Sequence, residues 1–95
     1  MDRLTQIEQR LFEVHALVER GQLEVDYFES RVEEARRVLS AAEARMAEAE
    51  TSLAQRECCA ARKRLEAAKA AVNDARRALC ELEADRDGLL AKLVG

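Results

Sequence analysis

At 95 residues the chain is at most one small domain, with charged residues at 37%, aromatics at 3%, no proline and three glycines. Eighteen alanines stand beside 14 Glu and 13 Arg, a composition of long helices and coiled coils that leaves too little large side-chain volume for an ordinary enzyme core. The net charge of −3 and a pI near 5.3 exclude the basic face expected of a general nucleic-acid binder.

The opening Met1-Asp2-Arg3-Leu4 leads into charged sequence and not into a signal-peptide apolar region. No stretch approaches the roughly 18 apolar residues that cross a bilayer. The expected location is therefore the cytoplasm, with no membrane insertion. Steps of three then four residues from Leu4 fall on Ile7, Leu11, Val14, Val18, Gly21, Val25, Phe28, Val32, Ala35, Leu39, Ala42, Met46, Ala49 and Leu53. Only Gly21 breaks the apolar run, so the spacing predicts a first coiled-coil helix over about 2–49. Because the heptad phase passes through Gly21 undisturbed, that helix is expected to be continuous there; the alternative is a break at Arg20-Gly21-Gln22.

A second stripe runs through Cys58, Ala61, Leu65, Ala68, Val72, Ala75, Leu79, Leu82, Arg86, Leu89 and Leu93, out of phase with the first. The twelve residues from Leu53 to Leu65 rotate the stripe by roughly 120°. One unbroken helix would lose its partner at that point, so a turn is predicted at about 50–54. Thr51 and Ser52 stand together there, and Thr or Ser suits an N-cap. Neither glycine nor proline marks the turn. The second helix is expected over about 55–93, fraying near Asp85-Arg86-Asp87-Gly88.

Folding back about position 52 sets Met46 against Cys58, Ala42 against Ala61, Leu39 against Leu65 and Ala35 against Ala68, while Phe28 against Ala75 and Gly21 against Leu82 put large side chains opposite small ones. The predicted fold is all-α: an antiparallel two-helix coiled-coil hairpin over 1–95, open to dimerisation into a four-helix bundle.

Candidate chemistry is sparse. Three cysteines, two of them adjacent, make no self-contained disulfide framework and fit free thiols in a reducing compartment. A closed zinc site needs four ligands, and the only histidine, His15, lies at the far end of the hairpin from Cys58 and Cys59. His15 has no serine or cysteine at helical neighbour spacing, and Glu8, Glu19 and Asp26 read as solvated flanks. No metal, no cofactor and no catalysis is expected. The clusters Arg36-Arg37, Arg62-Lys63-Arg64 and Arg76-Arg77 alternate with acids and read as an ion-paired helix surface. Nucleic-acid binding through Arg62 to Arg64 would require salt-sensitive affinity despite the acidic balance.

Apolar residues off the seam stand out instead. Phe12, Leu17, Leu23, Tyr27, Val38, Leu90 and Val94 are more than one hairpin can bury, and most fall toward the end where the termini meet. The partner-binding set expected from this pattern is Leu11, Phe12, Val14, Leu17, Leu23, Tyr27, Leu89, Leu90 and Leu93. Its partners would be protein helices, from a second copy or another protein.

The segment Leu4-Thr5-Gln6-Ile7-Glu8-Gln9-Arg10-Leu11 resembles the start of small helical-hairpin co-chaperones of bacterial type III secretion systems. The charged, alanine-rich hairpin also resembles in architecture the stalk proteins that interact with the ATPase of the same export machines. Both likenesses imply a cytoplasmic helper that binds other helices and catalyses nothing. The main expectation is accordingly a non-enzymatic interaction protein, adaptor or chaperone-like. The alternative is a structural rod or oligomerisation spacer, an extended coiled-coil dimer without a hairpin.

Overall fold

The computed structural model describes residues 2–95. Helix α1 spans Arg3–Glu48 and helix α2 spans Ser52–Val94, and no strand is present among the described residues. The two helices pack against each other as a hairpin. High intrinsic propensity of Ala, Glu and Arg accounts for their length. Exposed pairs such as Arg10–Glu13 at 3.3 Å and Arg31–Glu34 at 3.4 Å add little each. Helix α1 continues through Gly21, so the break considered there is absent, and α2 runs helical through Asp85-Arg86-Asp87-Gly88.

The turn is shorter than the spacing suggested. Between the helices only Ala49, Glu50 and Thr51 are non-helical, and Ser52, Leu53 and Ala54 form the first turn of α2. Thr51 is the N-cap: the Ala54 amide donates to its hydroxyl at 3.0 Å and the Gln55 amide to its carbonyl at 3.0 Å. No described residue other than glycine has a positive φ, and no described glycine has one either. The turn therefore has no need of the glycine that the sequence lacks there. Starting α2 at Ser52 also moves a seam position, because Ala54 is buried and Leu53 is 64% exposed. Ala54 lies four residues before Cys58 and extends the second stripe backward; Leu53 belongs to neither stripe.

The chain divides into two compact units: Met1–Val25 with Asp74–Gly95, here unit 1, and Asp26–Asn73, here unit 2. In unit 2 the three-residue turn sets the helices antiparallel. Ala42, Cys58 and Ala61 form a buried layer with Leu39 and Met46 packed on it, so the expected Ala42/Ala61 layer is present. Ala54, Leu65 and Val72 are buried as well. Arg45 Nε and Glu57 Oε2, 3.3 Å apart, tie α1 to α2 near the turn. In unit 1 the buried side chains are Val14, Val18 and Val25, and Gly21 is buried beside Leu79 and Leu82. Every position of the second stripe from Cys58 to Leu93 is buried or half-buried, Arg86 included.

Candidate partner-binding surface

Unit 1 carries the greater part of the expected binding set. Helix α1 begins there on an Asp2 cap, whose Oδ1 accepts the Thr5 amide at 2.7 Å while its carbonyl accepts the Gln6 amide at 3.2 Å. That backbone hydrogen bond holds the Asp2 carboxyl below its ordinary value of 3.8. The helix that this cap opens carries Glu8, Leu11, Phe12 and His15. At i, i+3, i+4 and i+7 these four share one face.

On that face Leu11, Phe12 and Leu90 line a shallow, open apolar groove of about 380 Å³, edged by Glu8, His15 and Arg86. Phe12 is 79% exposed and forms one wall, while Leu11 is half-buried. Arg86 occupies a seam position, yet its head group reaches out to Glu83 at 4.0 Å and Asp87 at 3.7 Å. Its aliphatic stem can cover apolar surface while the guanidinium meets water and acids. His15 Nε2 lies 3.1 Å from Glu19 Oε1 on the same helix. Groove and rim together offer an apolar slot with both signs of charge at its edge.

The other expected residues lie elsewhere. Val14 has no exposed surface and belongs to the internal packing of unit 1, so it cannot touch a partner while the helices stay paired. Leu89 and Leu93 are half-buried seam residues outside the groove. Leu17 and Leu23 are exposed in unit 1, but neither lines the groove; Leu23 is 70% exposed. Tyr27 falls in unit 2, edge-to-face with Phe28 at 5.3 Å between ring centroids, on a separate groove of about 480 Å³ floored by Ala35, Ala67, Ala68 and Ala71.

Glu8, His15 and Arg86 were not in the expected set. The spacing of 8, 11, 12 and 15 marks the first two, whereas Arg86 joins them only through the pairing of α2 with α1. Elsewhere, Cys58 is buried, Cys59 and Cys80 are exposed, and all three are free thiols. Among the described residues no three His, Cys, Asp or Glu side chains converge as metal ligands. No described helix is long and apolar enough to cross a membrane. No family model, no curated protein and no solved structure matches the chain.

Proposed function

We propose that this chain is a non-enzymatic coiled-coil interaction protein, an adaptor or chaperone-like helper that binds partner helices through the apolar face of unit 1. One observation carries the reading: Phe12 and Leu90 stand exposed beside an apolar groove, while the smaller Val14 and Val18 of the same unit are fully buried. Large apolar side chains left in water gain free energy when a partner covers them, at about 25 cal/mol per Å². A helix is the natural occupant, since an amphipathic helix lays i, i+3, i+4 anchors into a slot of this kind. The same reading sets the protein in the cytoplasm, where free thiols persist. The resemblance of Leu4 to Leu11 to type III secretion co-chaperones supplies one setting in which such a helper would work.

The test is site-specific photo-crosslinking in the producing cell, with benzoylphenylalanine at Phe12 or Leu90 and, as references, at Glu43 or Lys63 in unit 2. Protein adducts concentrated at the first two positions support the reading. Equal or weaker adducts there than at the references overturn it. Adducts to a second copy alone, strung evenly over all four positions, would favour the extended coiled-coil spacer.

A further inference from the structure

We infer that unit 2 is a dimerisation module: a second copy of this chain covers its groove, docked face to face with the two α1 helices antiparallel, so that Tyr27 of each copy lands on Val38 of the other and Arg31 on Glu34. The inference goes beyond the interaction reading above and uses none of the residues of the unit 1 groove. Three observations lead to it.

The first is that one wall of one groove carries both knob and hole. Tyr27, Arg31, Glu34 and Val38 all line the groove of about 480 Å³ in unit 2. Spaced four, three and four residues apart, they fall within about 60° of one another around α1. Tyr27 is 59% and Val38 40% exposed, and the two charged residues between them are exposed as well. Phe28 braces the Tyr27 ring edge-to-face at 5.3 Å, so the knob has little freedom left to lose on docking.

The second is that the order along this wall is complementary to its own reverse. A two-fold axis crossing α1 between Val32 and Glu33 exchanges the ends of the line. It sets Tyr27 opposite Val38 and Arg31 opposite Glu34, each twice, large against small and cation against anion. Arg31 Nη1 and Glu34 Oε2 are already 3.4 Å apart within one chain, so two copies close a ring of four alternating charges. Parallel packing in register would stack Arg31 on Arg31 and Glu34 on Glu34, so charge selects the antiparallel form. A contact of this kind is isologous and closes at two copies.

The third is the opposite wall. Ala67, Ala68 and Ala71 of α2 reach no farther than Cβ, which leaves nothing on that side to hold a second hairpin away. Arg64 stands across the groove from Val38 and can meet the face of the arriving Tyr27 ring as a cation. The area suffices too. The chain exposes 7062 Å² at 10.7 kDa, roughly 1,500 Å² more than a folded monomer of that mass, and a standard interface removes about 800 Å² from each partner.

The experiment is light scattering of the full chain with variants, helicity being followed by circular dichroism. The wild type should give the mass of two chains. Tyr27→Glu should weaken the dimer by roughly a hundredfold with helicity retained, because the two-fold counts each lost contact twice. Arg31→Glu and Glu34→Arg should each weaken it by about tenfold, since each sets like charges opposite one another. Mixing these two variants should recover the dimer, although neither chain regains its internal ion pair. Phe12→Glu, in the unit 1 groove, should leave the dimer intact. Orientation is read in a Cys58→Ala, Cys59→Ser, Cys80→Ser background with copper–phenanthroline as oxidant. A mixture of Tyr27→Cys and Val38→Cys chains should form covalent heterodimers, and neither chain alone should.

Monomeric wild type overturns the inference, and so does a dimer indifferent to Tyr27→Glu. A dimer lost with Phe12→Glu but not with Tyr27→Glu overturns it as well, and moves self-association to unit 1. Tyr27→Cys chains that cross-link to themselves and not to Val38→Cys chains overturn the antiparallel register. Photo-adducts from Phe12 to another protein stand or fall apart from all of these outcomes.

Discussion

Leu79 Cδ1 lies 3.1 Å from where a Cβ on Gly21 would stand, and Leu82 Cδ1 lies 3.8 Å from the same point. Two leucines of α2 thus close over a single missing side chain on α1. A glycine inside a helix costs about 1 kcal/mol relative to alanine, so close packing has to offset that cost here. Gly21→Ala should change stability by under about 0.5 kcal/mol, because the propensity gain is offset by displacement of the flexible end of Leu79. Gly21→Leu should cost about 1–3 kcal/mol by overpacking. Urea unfolding of the two variants beside the wild type checks both.

Gly88 is the opposite case. No atom lies within 4 Å of a Cβ added there, and α2 runs straight through it. Gly88→Ala should therefore stabilise the chain by about 0.5–1 kcal/mol, raising the thermal midpoint by a few degrees. A calorimetric scan showing no rise would mean that the helix around Gly88 is not formed in solution.

The hydroxyl of Thr51 accepts the Ala54 amide at 3.0 Å, one of the donors that a helix start leaves orphaned. Thr51→Ala should cost about 1 kcal/mol, whereas Thr51→Ser or Thr51→Asp should retain most of it. Hydrogen exchange at Ala54 should speed up in Thr51→Ala and stay near wild type in Thr51→Ser.

Asp2 gives the chain an acid-sensitive end. Folding lowers its pKa, chiefly through the Thr5 amide. The cap is therefore complete above the ordinary carboxyl value of 3.8, and its contribution is lost as pH falls through the lower folded value. In an NMR titration the Thr5 amide should shift with a midpoint below 3.8, and Asp2→Asn should abolish that step.

Thiol labelling should divide the cysteines. Cys59 and Cys80 are exposed and should react with a disulfide reagent at the rate of the unfolded chain, while Cys58, in the layer with Ala42 and Ala61, should wait for local opening. The expected trace is two fast equivalents and one slow one. Cys58→Ala should remove the slow phase alone.

Periodicity read the fold well because it is a property of one helix at a time. All eleven positions of the second stripe lie at least half-buried, and the pairing it implied put Ala42, Cys58 and Ala61 together. The exceptions cluster where one helix is no longer the unit of description. Leu53 sits on the first stripe by counting, but chain reversal begins at Ala49, so it is exposed on α2 and Ala54 takes the buried place. The binding set suffered in the same way. Val14 and Phe12 are two residues apart and both apolar, yet one has no exposed surface and the other is 79% exposed. Tyr27, grouped with Phe12 by hydrophobicity alone, belongs to the other unit.

From its amino acids alone this chain is committed to two amphipathic helices, to the residues that face inward on each, and to a reversal near Thr51, since local propensity and a 3.5-residue repeat are encoded in the order of residues. Depth of burial, the placing of Arg86 beside Phe12, and the slot that joins Leu11 to Leu90 were decided only by tertiary structure. Each of these depends on the distance between two helices, and that distance is set by what faces what across the seam, which the repeat of either helix by itself does not contain.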